Sequence, residues 1–295
     1  MGFCAGSVKT AIVRSMSKSP VSLTFDDGRE EQYTKFYPIL DEYDLKATFY
    51  VVTQRINWKG VMSWDELKTL YKEGNEIGSH THTHPHLTTL SNDELDFEFK
   101  KSHNMLRIFN CSSLAYPYGE HDERVIEHAK KYFAAARSHY NPNFGNKGLG
   151  LNLNPSHESH KLKVFPTEQT IPLKGFEGLE NCSLFGLPLH MFKRTFMRLL
   201  EYNIKRKAWI IFTIHGTYDG KNISWVFKKP KEMTKYFASR LARMSTIIDF
   251  AQEKALRKDK ILKFKWMCEI LAQNDQLEVF PVSRVIQKST VLNSH

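Results

Sequence analysis

The chain has 295 residues, of which 41% are hydrophobic and 25% are charged, and these fractions are typical of an ordinary globular protein. No apolar run approaches the roughly 20 residues that a membrane-spanning helix needs. The formal net charge is +10, and the lysines and arginines concentrate in the C-terminal third. They indicate either a solvated helix face or attraction to an acidic glycan, a phospholipid or a nucleic acid, with nucleic acid ranked last because no motif for it is present.

The N-terminal segment contains scattered basic residues and no continuous apolar core, so it does not predict a secretory signal. We therefore expect a weakly ordered leader over residues 1–19 and a cytoplasmic location, with association with a cell envelope as the alternative. Four cysteines lie far apart without a CxxC pair, which favours free thiols in a reducing compartment. They are Cys4, Cys111, Cys182 and Cys268.

Short β-type runs alternate with helical patterns through the first half of the chain. Strands are predicted over 21–25, 47–52, 76–78, 114–116 and 134–136, and helices over 30–43, 64–73, 92–109 and 122–132. Two of these helices follow capping boxes that begin at Ser63 and Ser91. The alternation is typical of βα units around a mostly parallel sheet that closes into a barrel. Active sites of such folds gather at the C-terminal ends of the strands.

The second half of the chain is less regular. The pattern weakens over 138–187, which predicts an irregular insertion or a long loop on the substrate side. A helix over 191–203 and an apolar strand over 209–214 follow, then a basic helical stretch over 231–273, a strand over 277–280 and a short helix. We expect one catalytic domain over 20–295 that carries the irregular insertion 138–187 and the basic helical insertion 231–273.

Two polar motifs follow predicted strands. Asp26 and Asp27 stand before Gly28, and two adjacent carboxylates repel each other unless a cation or a proton lies between them. By itself this triplet is more often a plain turn. Residues 78–86 hold histidines at alternate positions, and histidine is the commonest metal ligand. The alternative is an exposed, His-rich polar loop. These histidines are His80, His82, His84 and His86.

A third candidate, His215, ends the most apolar run of the chain, where it could alone be a core residue. Taken together, the three features favour catalysis. Two histidines and one carboxylate leave coordination positions open on a metal ion. The second carboxylate is then free to act as a base on water whose pKa the ion lowers toward about 7, and a separate histidine can protonate a leaving amine.

The order of these motifs resembles the polysaccharide deacetylase family, the NodB-like group also called carbohydrate esterase family 4. The resemblance rests on TFDDG at 24–28, His-Thr-x-x-His-Pro at 80–85, Tyr-Pro-Tyr-Gly at 116–119 and a strand that ends Ile214-His215. It covers about residues 20–216. It implies an α/β fold, a distorted (β/α) barrel of about seven strands. It also implies a divalent metal ion, with zinc expected first and cobalt, nickel or manganese as alternatives.

The resemblance also implies roles for single residues. Asp26 matches the catalytic base and His215 the catalytic acid, whereas Asp27, His80 and His84 match the metal ligands. The backbone N–H of Tyr118 matches an oxyanion donor, and Ile214 a residue of the substrate pocket. His82 and His86 are not implied as ligands. The family's aromatic fourth motif is not recognisable within 138–187.

One position departs from the family pattern. Ala115 stands where an arginine normally orients the base carboxylate. We hypothesise that Arg137, at the end of the next predicted strand, replaces that arginine.

The expected activity is metal-dependent hydrolysis that removes the N-acetyl group from an amino sugar of a glycan. The partner is a carbohydrate, and an anionic glycan or a glycolipid would suit the basic charge. Two alternatives stay open. One is a metal-dependent hydrolase of a small non-sugar amide or ureide, and the other is a catalytically silent glycan-binding protein.

Overall fold

A computed structural model describes residues 16–139, 151–152, 159–167, 171–172, 180–217 and 235–291. Most of the predicted leader, residues 1–15, lies outside the described residues. In chain order the strands and helices are β1 (Ser19–Phe25), α1 (Tyr37–Glu42), β2 (Thr48–Val51), α2 (Trp64–Lys72), β3 (Glu76–Ser79), α3 (Asn92–Met105), β4 (Ser113–Ala115), α4 (Glu123–Ala129), β5 (Ala135–Arg137), β6 (Leu151–Asn152), β7 (Phe165–Pro166), β8 (Ile171–Pro172), β9 (Glu180–Cys182), α5 (Leu189–Arg206), β10 (Trp209–Ile214), α6 (Lys235–Gln273), β11 (Leu277–Val279) and α7 (Val282–Val291).

Seven parallel strands form the frame of the molecule. Their order across the sheet is β5, β4, β3, β2, β1, β10 and β7. Leu162 bridges to Arg137 of β5, and β7, a few residues further on, pairs with β10. The segment 162–166 thus links the two ends of the array. This arrangement confirms the predicted distorted (β/α) barrel.

The remaining sheet contacts modify this frame. β11 pairs in parallel with the first residues of β1, and the last residues of β1 pair with β2. β6 pairs antiparallel with β10, and β8 and β9 form a separate two-stranded sheet. The irregularity expected over 138–187 therefore includes short strands in its described parts.

Burial explains why β1 and β10 read as continuous apolar runs. Every residue of both strands is buried, as in parallel sheets with both faces covered. Phe25 of β1 stacks on Phe49 of β2 at 4.9 Å between ring centroids, and Phe264 of α6 meets Phe25 edge-on at 5.8 Å. The aromatic core therefore joins the barrel to α6.

Helix α6 departs from the interpretation of its basic residues as a solvated face. Lys260 and Lys263 are buried. Lys263 Nζ donates to the Phe185 carbonyl oxygen at 2.8 Å and pairs with Asp259. That interpretation is wrong for these two lysines, because the same helix buries Phe264 against the barrel. Among the residues that the structure describes, no helix combines the length and the apolar character that crossing a lipid bilayer requires.

The helix predicted over 30–43 is interrupted. Its first part, Gln32–Phe36, is wound as a π-helix, and α1 begins at Tyr37. Pro38 has no N–H to donate to the preceding turn, so the regular α-helical ladder cannot run through this point.

Glu76, at the start of β3, ties helix α7 to the barrel. Its Oε2 accepts from the Ser283 N–H at 2.9 Å and the Thr48 hydroxyl at 2.9 Å, and its Oε1 accepts from the Ser113 hydroxyl. We expect Glu76→Ala to lower the free energy of unfolding by about 2–3 kcal/mol, because hydrogen bonds to a charged acceptor are lost. Urea denaturation measures this. Glu278→Ala, which removes an exposed ion pair with Lys288, should change it by no more than about 0.5 kcal/mol. Equal losses in both variants would contradict the role of Glu76 in connecting α7 to the barrel.

Candidate active site

The predicted site residues lie at one edge of the sheet. Asp26 and Asp27 follow β1, His80 follows β3, Arg137 ends β5, and His215 follows β10. Because all four are parallel strands of one array, their C-terminal ends meet at the same edge. The structure therefore brings together side chains that are up to 189 residues apart in sequence, an interval that separates Asp26 from His215.

Asp27, His80 and His84 form a group that could hold a metal ion. Asp27 Oδ1 lies 3.9 Å from His80 Nε2 and 3.8 Å from His84 Nε2, and the ligand atoms of all three residues lie within 4.8 Å of one another. Two atoms that are each about 2 Å from the same ion can be at most about 4 Å apart. The carboxylate-to-imidazole separations meet that limit. No other group of this kind occurs within the described ranges.

Hydrogen bonding selects the ring nitrogen that His80 presents to this group. Its Nδ1 lies 2.8 Å from the carbonyl oxygen of Ala115, and since a carbonyl can only accept, Nδ1 carries the proton. The lone pair of Nε2 then faces Asp27. Burial lowers the pKa of His80, and burial together with the neighbouring His80 lowers the pKa of His84 to about 3. Both imidazoles are therefore held in the neutral form that coordinates metal ions.

The backbone of the site is strained where the ligands are presented. Left-handed φ values occur at Asp27 (75°), Thr81 (65°), His84 (69°) and Tyr118 (57°). Such values cost free energy for residues other than glycine and persist only where the surroundings hold them.

Glu98 of α3 holds the histidine loop, and the sequence interpretation missed it. Its Oε2 accepts from the N–H groups of His82 and Thr83, each at 2.9 Å, and its Oε1 accepts from the Thr83 hydroxyl at 2.7 Å. Glu98 is buried. A signal for it does exist in the sequence, because Glu98 stands three residues after Leu95 and four before Ser102, on the face that α3 buries.

Arg137 and Asp26 form a buried ion pair. A guanidinium N–H of Arg137 donates to Asp26 Oδ1, and both residues are buried. Ala115 and Arg137 are register partners on the adjacent strands β4 and β5. Arg137 thus enters from the neighbouring strand at the level of the position where the family pattern has its arginine. Burial alone would raise the pKa of Asp26, but Arg137 and then the nearby imidazoles hold it well below its usual range.

Tyr50 packs against the guanidinium of this pair, and the sequence did not predict it as a site residue. The Arg137 guanidinium lies 4.5 Å from the centroid of the Tyr50 ring, a cation–π contact. A Cβ at Gly78 would lie 2.5 Å from that ring. Gly78 therefore leaves the space that Tyr50 fills, and a glycine inside a strand is the sequence signal for such a close approach.

His215 lies beside the base carboxylate. Its Nε2 is 3.8 Å from Asp26 Oδ2, and its side chain is 29% exposed. Gln32 Nε2 donates to the backbone carbonyl oxygens of both Asp26 and His215, so one buried amide joins the ends of β1 and β10. The His139 ring lies 5.3 Å from that of His215. Gln32 and His139 were not predicted as site residues.

Tyr118 forms the rim of the site. Its ring, with the residue 47% exposed, meets His84 edge-on at 4.6 Å and stacks on His86 at 4.2 Å. His86 Nδ1 lies 3.0 Å from Glu120 Oε2, and His82 Nδ1 lies 2.9 Å from the Thr53 hydroxyl. Neither His82 nor His86 belongs to the candidate metal-binding group of Asp27, His80 and His84. Much of the stretch 138–187, where no fourth motif was recognised, lies outside the described ranges.

Comparison with known proteins supports the family resemblance that the motifs indicate. A family model described as polysaccharide deacetylase matches residues 14–135. This span contains Asp26, Asp27, His80 and His84 but ends before Arg137.

Two curated relatives match stretches of similar length. Chitin deacetylase 1 of Cryptococcus neoformans var. grubii is 32% identical over 126 residues, which are 41% of this chain and 26% of that protein. Peptidoglycan-N-acetylglucosamine deacetylase of Bacillus cereus is 31% identical over 120 residues, 39% of this chain and 41% of that protein. The chain thus spans less than half the length of the curated relatives it matches.

One solved structure extends the likeness over almost the whole chain. It is the Xyl-CE4 domain of a multidomain xylanase from the hindgut metagenome of Trinervitermes trinervoides, with a TM-score of 0.50, 13% identity and coverage of 92% of each chain. At this identity the likeness concerns the fold. The resemblance to the polysaccharide deacetylase family that the motifs predict is therefore confirmed over residues 14–135, within the fold of a distorted (β/α) barrel.

Proposed function

We propose that this protein is a metal-dependent N-deacetylase that hydrolyses the acetamide of an N-acetylated amino sugar in a glycan. The observation that carries the proposal is the position of a second carboxylate, Asp26, directly beside the group formed by Asp27, His80 and His84, with His215 at 3.8 Å from it. A metal site needs only the three ligands. A base and an acid next to it are what hydrolysis adds.

Asp27 Oδ1, His80 Nε2 and His84 Nε2 would hold the cation. One carboxylate oxygen with two imidazoles suits zinc first, and cobalt, nickel or manganese as alternatives. A divalent cation supplies Lewis-acid chemistry there, since it polarises a carbonyl and makes water acidic enough to lose a proton near neutral pH.

The chain's own groups account for the proton transfers. Asp26 takes the proton from the water whose oxygen attacks the acetyl carbon, while Arg137 keeps that carboxylate ionised and oriented. The backbone N–H of Tyr118 stabilises the negative charge that develops on the acyl oxygen. When the C–N bond breaks, His215 donates a proton to the amine nitrogen. The products are acetate and a free amino sugar.

The substrate class follows from the relatives and from charge. The relatives named above are deacetylases of chitin and of peptidoglycan N-acetylglucosamine, which supports an N-acetylated hexosamine in a polymer or oligomer. The net charge of +10 supports an anionic glycan or a glycolipid as the physiological form.

The deciding experiment is a metal-reconstitution assay. Protein stripped with a chelator and reloaded with zinc or cobalt is incubated with N-acetylglucosamine oligomers, and acetate release is measured. We expect release only after reloading and none from Asp27→Ala, with circular dichroism to show that the variant is folded.

Two other outcomes would count against the proposal. Activity confined to small non-sugar amides or ureides would assign the same residues to a different substrate class. Glycan binding without acetate release under any metal would mean that the fold serves only for binding.

A further inference from the structure

We propose that Arg29 is a positioning residue that holds Asp27 so that only one of its carboxylate oxygens is offered to the cation. This inference rests on the proposed function, since it concerns the same metal site. It assigns a task to a residue that neither the motif pattern nor the matched ligand set includes.

The two oxygens of Asp27 have different partners. Arg29 donates to Oδ2 through both Nε, at 3.2 Å, and Nη2, at 2.9 Å. Oδ1 is the oxygen that faces the imidazoles, 3.9 Å from His80 Nε2 and 3.8 Å from His84 Nε2. One oxygen of the carboxylate therefore binds the guanidinium, and the other faces the two imidazoles.

The backbone of Arg29 is anchored, so this contact is more than a chance surface ion pair. Arg29 forms a β-bridge with Val61, and the Met62 N–H donates to the Gly28 carbonyl oxygen at 2.8 Å. The side chains of Arg29 and Asp27 are 32% and 18% exposed. Partly buried, charge-assisted hydrogen bonds of this kind are stronger and better defined than those of exposed pairs.

This division determines how Asp27 can coordinate. Binding through both oxygens would require Oδ2 to turn toward the cation and give up both hydrogen bonds from Arg29. With Arg29 in place Asp27 supplies one oxygen, so the protein provides three ligand atoms and the other positions stay open for water and substrate.

Arg29 also brings a positive charge near the cation, which by itself would weaken metal binding. A matched control separates charge from contact. Arg55 is a second guanidinium, close enough to His84 to lower its pKa, and its Nη2 lies 3.5 Å from the Thr83 carbonyl oxygen rather than on a ligand carboxylate. Arg55→Met removes a charge near His84 and leaves the hydrogen bonds on Asp27 intact.

The test is a cobalt titration of metal-free protein, followed by the visible absorption spectrum and by competition with a chelator. We expect Arg29→Met to bind cobalt about ten- to hundredfold more weakly than the unmodified chain, because the loss of the fixed orientation of Asp27 outweighs the relief of charge repulsion. Its spectrum should be altered by a higher coordination number. Arg29→Lys, which keeps the charge but not the two-pronged contact, should recover part of the affinity. Arg55→Met should keep the original spectrum.

The outcomes distinguish this inference from the proposed function. If the unmodified protein binds no cobalt, the proposed function itself fails. If it binds cobalt normally and Arg29→Met has the same affinity and spectrum, only the role of Arg29 is overturned. Equal changes in Arg29→Met and Arg55→Met would likewise overturn it, because charge alone would then explain the effect.

Discussion

Asp26→Asn is expected to lower the rate of acetate release by about 10²–10⁴-fold, the range that a positioned base contributes, while the protein still binds one zinc or cobalt ion. The amide has nearly the shape of the carboxylate but cannot take a proton from water. Asp26 is buried beside Arg137 and His215, so no solvent group replaces it easily. Turnover numbers from an acetate assay and metal content by elemental analysis measure the two effects separately.

Asp27→Asn is the matched control for this substitution, because it makes the same chemical change one residue along the chain. It should lose metal and activity together, since Asp27 Oδ1 faces both imidazoles. The assignment of base and ligand would be refuted if Asp26→Asn lost its metal, or if it turned over within a few-fold of the unmodified chain.

Arg137→Ala is expected to have the second large effect, on stability and on catalysis together. Removing one partner of a buried ion pair leaves the other charge uncompensated, which typically costs about 3–5 kcal/mol. Asp26 keeps its carboxylate ionised largely through Arg137. Without the guanidinium its pKa should rise, so that the acidic limb of the pH–rate profile moves to higher pH. Urea denaturation and a pH–rate series are the measurements.

Arg137→Lys tests the role of Arg137 if the alanine variant does not fold. A lysine preserves the charge but loses the planar contact with the Tyr50 ring. We expect an intermediate stability and an acidic limb between those of the other two proteins. Turnover and a pH profile that do not change in either variant would show that Arg137 does not replace the arginine missing at Ala115.

Local pattern was enough to predict the strands that carry the site. Strand β10 runs over the six residues predicted for it, and β1 begins two residues before its predicted start, because continuous apolar runs of this length have few other stable environments. The polar residues at the strand ends were recognisable for the same reason. Asp26, Asp27, His80 and His215 each follow a run whose end can be seen in the sequence.

The supporting residues could not be recognised in this way, because their importance depends on partners distant in the chain. Arg137 reaches Asp26 across 111 positions, and the sequence could suggest the pair only through a gap in a family motif. Gln32 and Arg29 look like ordinary residues of a helix and a turn, and the sequence signals at Glu98 and at Gly78, beside Tyr50, do not identify a partner. Each becomes part of the site only when folding places it against a ligand, a carbonyl or a guanidinium.

Helix α6, with its basic residues, is a second case in which composition did not predict the environment of a side chain. A solvated face was one of the two interpretations of its composition, yet Lys263 is buried and donates to the Phe185 carbonyl oxygen. The sequence thus specified the strands and the residues able to bind a metal and move protons, since these depend on composition and local periodicity. Which lysine is buried, which arginine meets Asp26 and which oxygen of Asp27 faces the histidines depend on long-range packing. Those features follow from the packing of strands and helices that are distant in the sequence.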